Sequence, residues 1–209
     1  MFAFVSAFTP ALGARATAPI TTSRPAPTVT MMAKSKAIPM LEAPKALDGS
    51  MVGDVGFDPL GFSNMFPIEW LREAEIKHAR VCMLAALGII VSEVYRFPFY
   101  SGAPKLATEA HDYFVKFGSL NQVLTFAGFF EVIGFMAIVQ TMKGSGRRPG
   151  DFGFDPLKMA STEEKFKKMQ LSELKNGRLA MIAVGGMIHQ MWLTNMGVVE
   201  QLTHGKFLP

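Results

Sequence analysis

The chain has one cysteine, Cys82, in 209 residues. A lone thiol closes no disulfide and builds no thiolate metal cluster, and its place inside an apolar run reads as packing. Charge is scarce as well, at 18% of residues against 49% apolar, which excludes a disordered protein. The formal net charge of +4 is small and scattered, so nucleic acid is not an expected partner. No acid precedes Glu42, and the segment before it is dominated by Ala, Thr, Ser and Pro, with Arg15, Arg24, Lys34 and Lys36 as its charges. That composition reads as a targeting peptide over residues 1–32, followed by a mature domain over 33–209. The opening MFAFVSAFTP, with Phe8 after Ser-Ala, resembles the cleavage junction of two-part plastid targeting sequences. Apolar runs of ~18 uninterrupted residues, the direct mark of a spanning helix, are missing, and no alternating strand pattern takes their place.

What is abundant is apolar matter, more than a typical soluble domain carries. With 18 Phe, 15 Met and a positive mean hydropathy of +0.24, some of the surface must face lipid or a bulky apolar ligand. Periodicity predicts three long helices, at about 68–95, 120–140 and 165–193, joined by Gly- and Pro-rich loops. Hydropathy alone leaves a soluble helical bundle open. Length favours the membrane: at ~1.5 Å per residue the first and third helices reach roughly 40 Å, beyond a ~30 Å hydrocarbon core.

An internal repeat organises these helices. GDVGFDPL at 53–60 returns as GDFGFDPL at 150–157, and EIKHARVCM at 75–83 returns as ELKNGRLAM at 173–181. With one helix between the copies, both run the same way through a membrane and can be related by a two-fold axis along its normal. The loop from 142 to 168 carries seven Lys and Arg against three between 96 and 120, which puts it, with the N-terminus, on the positive side.

Each copy charges the mouth of an apolar helix. Glu75 and His78 share a face, whereas Arg80 points away from Glu75, so the glutamate needs a partner elsewhere. Two-fold packing supplies one: Glu75 meets Arg178, and Glu173 meets Arg80. An unpaired ion in hydrocarbon costs at least ~2.5 to 3.5 kcal/mol, so reciprocal pairing is the condition for carrying four such residues. Ala79, Ala85 and Gly88 in one copy, and Gly177, Ala183 and Gly186 in the other, are the small residues expected at the crossing. His78 and Asn176 are left over. A neutral imidazole, an amide oxygen or a carboxylate neutralised by arginine each suits a single axial bond to a Mg²⁺ held in a tetrapyrrole plane.

E-x-x-H-x-R and E-x-x-N-x-R, each after a G-F-D-P-L loop, resemble the light-harvesting chlorophyll a/b- and a/c-binding proteins over nearly all of residues 45–209. The short first loop is more similar to the red-lineage branch, and the ending GGMIHQMWLTNMGVVEQL to photosystem I antenna members. The resemblance implies an all-α membrane protein with three transmembrane helices, the first and third crossed as a pseudo-two-fold pair, plus short amphipathic helices. It implies Mg ligands at Glu75, His78, Glu131, Glu173, Asn176 and Gln190, with Arg80 and Arg178 as their charge partners and His204 in VVEQLTH as a last ligand. Asp58 and Asp155 fall in the loops that seat carotenoid end groups. The implied cofactors are chlorophyll a, chlorophyll c and fucoxanthin- or alloxanthin-type xanthophylls. The implied partners are a photosystem core, photosystem I foremost, neighbouring antenna subunits and lipids of the plastid thylakoid membrane. No catalytic step is expected. A photoprotective, energy-dissipating member would carry the same motifs. A di-iron carboxylate bundle, the remaining alternative for Glu-x-x-His, lacks the second Glu-x-x-His and the fourth helix.

Overall fold

The computed structural model describes residues 34–159 and 162–205, and the targeting peptide read over 1–32 lies outside them. In chain order the elements are α1 (Phe62–Met65), α2 (Ile68–Val94), a 3₁₀ turn (Pro98–Tyr100), α3 (Ala107–Phe117), α4 (Ser119–Met142), α5 (Glu163–Thr194) and α6 (Val198–His204). Among the described residues the extended pairing is limited to an isolated bridge between Lys34 and Glu42.

The boundaries follow local chemistry. Pro67 stands before α2 with φ −58°, preset for a helix start. Thr162 precedes α5, whose first turn carries Glu163 and Glu164 where the helix dipole favours acids. Asn195 ends α5 in the left-handed region at φ 51°, its N–H returning to the Met191 carbonyl at 2.9 Å. Gly118, at φ 83°, ends α3 and begins α4, a reversal that a side chain would resist. The three-helix reading contained no separate α3. Its signal is the helical spacing of Leu106, Ala110, Tyr113, Phe114 and Phe117.

The principal packing is α2 against α5. Their closest approach is Ala79 on Gly177: Ala79 is 1% exposed, and a Cβ built on Gly177 would lie 2.3 Å from that of Ala79. The other glycines expected at the crossing are not there. Gly88 and Gly186 have open space where a Cβ would stand, because nine residues, about two and a half turns, beyond Ala79 and Gly177 they face away from the contact. The repeated loops close the crossing from the end at which both helices start. Gly53, at φ +74°, lies against Leu171 and Leu174 of α5, and Gly150, at φ +76°, lies against Ile76 of α2.

The protein core is small. Among the described residues Ile76, Ala79, Leu106, Leu174, Ala180 and Met191 are the buried apolar ones, while Leu84, Phe126 and Ile182 are 72%, 70% and 77% exposed on α2, α4 and α5. So much apolar surface on long helices calls for lipid or apolar ligands around them. By length and composition α4 is the one described helix apolar enough to cross a bilayer. Both α2 and α5 are longer, but their first halves are charged.

Candidate functional site

The charged mouths of α2 and α5 meet at the crossing. Arg178 Nε donates to Glu75 Oε1 and Arg80 Nε donates to Glu173 Oε1, each at 2.7 Å, so the reciprocal pairs are present. Each glutamate is held by the arginine of the other copy and its charge is neutralised there. Two further contacts set the copies apart: Arg72 Nη1 donates to Glu75 Oε2 at 2.9 Å, and Arg178 Nη1 donates to the Gly53 carbonyl at 3.2 Å. The partner Arg72 was not anticipated from the repeat, because its counterpart in the second copy is Gln170.

Three residues on from each glutamate, the two leftover residues are anchored alike. His78 Nδ1 lies 2.8 Å from the Ala74 carbonyl, which can only accept, so Nδ1 carries the hydrogen and Nε2 keeps its lone pair. Asn176 Nδ2 donates to the Ser172 carbonyl at 2.9 Å, which orients the amide and leaves Oδ1 as its donor atom. Both side chains are exposed on their helices. Anchoring one nitrogen to the carbonyl a turn earlier fixes the other heteroatom as a preoriented electron-pair donor, the arrangement usual behind metal-bound histidine.

Glu131 stands midway along α4 and forms an ion pair with Lys77 of α2. The sequence reading required a partner or a metal for this acid and did not name Lys77. Lys77 and Lys175 occupy the same place in the two copies, but that Lys77 reaches α4 follows only from the tertiary packing. Gln190 lies on α5 near its end, half-buried, with its carbonyl accepting from Thr194 Oγ1 at 2.8 Å. His204 is the last, exposed residue of α6. The structure therefore brings Glu75, Glu173, Arg80 and Arg178 together at the crossing and Glu131 against α2, and it places Gln190 and His204 toward the opposite end.

The loop aspartates organise their turns. Asp58 accepts from the Phe62 and Ser63 amides at 3.0 and 2.8 Å and from the Ser63 hydroxyl at 2.6 Å, which caps α1. Partial burial works to raise its pKa, but these hydrogen bonds and the Gly61 amide outweigh it and hold the carboxyl below its ordinary value of 3.8. Asp155 accepts from the Met159 amide at 3.2 Å. Beside it, Phe152, Phe154, Met159, Phe166 and Met169 line an apolar groove that reaches Glu173.

A buried ion pair was also missed. Glu73, 4% exposed, accepts from Arg147 Nη1 and Nη2 at 3.2 and 3.3 Å and from the Gly150 amide at 2.6 Å, tying α2 to the second GFDPL loop. Among the described residues no three His, Cys, Asp or Glu side chains come together as a metal cluster. The residues read as ligands stand singly along the helices.

The family model described as chlorophyll A-B binding protein matches residues 43–192. The chain is 37% identical over 188 residues, 85% of its length, to the fucoxanthin-chlorophyll a-c binding protein, chloroplastic, of Chattonella marina var. antiqua, covering 84% of that protein. It is 34% identical over 187 residues to light-harvesting complex stress-related protein 1 of Chlamydomonas reinhardtii, covering 82% of this chain and 71% of that one. With photosystem I chlorophyll a/b-binding protein 5 of Arabidopsis thaliana it shares 32% identity over 187 residues, 79% of this chain and 73% of that one.

Proposed function

The chain belongs to the chlorophyll A-B binding protein family, whose members hold pigment for light harvesting rather than catalyse a reaction, and from that premise we propose how its residues do so. Glu75, His78, Glu131, Glu173, Asn176 and Gln190 would each hold a chlorophyll through its Mg²⁺, with His204 as a further such residue. When bound, the chlorophylls absorb light and pass excitation between neighbouring rings. Arg178 and Arg80 cancel the charges of Glu75 and Glu173, and Lys77 that of Glu131, so each carboxylate meets the metal as part of a neutral pair. The loops of Asp58 and Asp155 seat xanthophyll end groups, and the groove of Phe152, Phe154 and Phe166 supports this for the second loop. Chlorophyll a, chlorophyll c and fucoxanthin- or alloxanthin-type carotenoids are the pigments.

In the same reading α2, α4 and α5 span the thylakoid membrane, with α2 and α5 crossed about a pseudo-two-fold axis. Lipid covers the exposed apolar faces, and a photosystem core, photosystem I foremost, with neighbouring antenna subunits receives the excitation. The carrying observation is the matched anchoring of His78 and Asn176, which presents one bare electron pair from each copy beside a neutralised carboxylate. The purified native protein should be coloured, and a colourless one overturns the reading. His78→Leu and Asn176→Leu should each lose about one chlorophyll on reconstitution while the crossing and the remaining pigment stay. A dissipative role is the second reading, supported by the stress-related relative. A short excitation lifetime in the isolated complex would select it, and a long one selects harvesting.

A further inference from the structure

One imidazole outside this ligand set has the geometry of His78. His189 Nδ1 lies 2.8 Å from the Gly185 carbonyl, one turn earlier on α5, so Nδ1 carries the hydrogen and Nε2 keeps a lone pair. The side chain is exposed, and its anchor is a carbonyl of its own helix. The surroundings are apolar and flat. On a helix, residues 182, 185, 186, 189 and 193 share a face. Ile182 and Leu193 are 77% and 65% exposed on it, and Gly185 and Gly186 have nothing within 4 Å of where a Cβ would stand. Trp192 meets the imidazole nearly edge-to-face, its ring centre 5.7 Å away.

A glycine inside a helix costs roughly 1 kcal/mol relative to alanine, and two in succession here gain no packing from the described residues. What they provide is room. A macrocycle bound through a helical side chain extends over the residues three and four before and after its ligand. For His189 these are Gly186 and Gly185 on one side and Trp192 and Leu193 on the other, a bare strip followed by an apolar shelf. Gln190 is the next residue and points about 100° away around the helix, so a ring on His189 is separate from one on Gln190.

We propose that His189 is the axial ligand of an additional chlorophyll, bound flat along the Gly185–Gly186 face of α5 with its Mg²⁺ on Nε2. The inference rests on the pigment reading above, so it is tested beside that reading's own variant. Reconstituted with chlorophyll and carotenoid extract, His189→Leu should carry one chlorophyll fewer than the parent, as should His78→Leu. Loss in His78→Leu with a full count in His189→Leu overturns the inference alone, whereas full counts in both overturn the donor reading itself. His189→Asn keeps an amide donor and covers the case where the leucine variant does not assemble. Labelled with ¹⁵N-histidine, it should lack one Mg-bound imidazole resonance that the parent shows, and an unchanged set of such resonances overturns the proposal.

Discussion

At the mouth of the crossing, the loop carrying Gly53 leans on Leu171 and Leu174 of α5, and the loop carrying Gly150 leans on Glu73 and Ile76 of α2. The backbones repeat, with a positive-φ glycine in each loop against an aliphatic side chain of the other copy's helix. The chemistry does not. Where the second copy has Leu171, the first has a buried glutamate bonded to Arg147 and to the Gly150 amide; where the second has Gln170, the first has Arg72. The left-handed position after the loop aspartate is Gly61 in the first copy and Lys158, at φ 48°, in the second. The difference teaches that the repeat conserves a way of crossing two helices and leaves each copy free to hold its loop with ions or with apolar contact. The asymmetry falls on the stabilising contacts, while the carboxylate and the anchored His or Asn are present on both sides.

The comparison is broken most severely by giving the first copy the second copy's residue. Glu73→Leu leaves Arg147, 14% exposed, and the Gly150 amide without their carboxylate, which should cost about 3 to 5 kcal/mol. Thermal melting of the reconstituted complex, followed by visible circular dichroism, measures it. Adding Arg147→Met should recover most of the loss, since a matched apolar pair stands well in place of a buried ion pair. A loss indistinguishable from zero would mean that the ion pair does not hold the second loop.

Next in size are the crossing arginines. Their side chains are 40% and 41% exposed, so removing either should cost less than a fully buried ion would, about 2 to 3 kcal/mol. The order is the sharper expectation: Arg80→Leu should damage pigment assembly more than Arg178→Leu, because Glu75 retains Arg72 whereas Glu173 has Gln170 in that place. Equal yields from the two variants would deny Arg72 a role at the crossing.

A steric swap sharpens the comparison further. Gly177→Ala drives a methyl into Ala79 and should cost about 1 to 3 kcal/mol. Pairing it with Ala79→Gly exchanges the two residues across the crossing and should restore most of the stability, as double-mutant analysis of melting temperatures would show. Failure of the exchange would mean that the two sides of the crossing differ in shape as well as in charge.

The smallest effect is a pH dependence of the first copy's loop. Because the folded pKa of Asp58 lies below 3.8, its contribution is complete above that value and is lost as pH falls through the lower folded value. The parent should therefore lose stability as pH falls below about 4, and Asp58→Asn should lack that component. The cap itself is worth about 1 kcal/mol or less, read from melting temperatures across the pH series.

Sequence by itself determined the three long helices, the internal repeat and the reciprocal ion pairs. Helical periodicity and a charge in an apolar helix each restrict the answer locally, and Glu75, unable to reach Arg80 on its own helix, had to find Arg178. His78 and Asn176 stood out for the same reason, as what pairing left over, and their role as ligands is the proposal tested above. Tertiary structure decided which small residues make the contact. Gly88 and Gly186 read as crossing residues like Gly177, but they lie about two and a half turns beyond the contact pair and open away from it. It also decided the partners supplied from a distance: Lys77 for Glu131, 54 residues apart, and Arg147 for Glu73, 74 residues apart. Neither pair follows from helical spacing, because which side chain arrives opposite a charge on another element depends on how the loops between them fold.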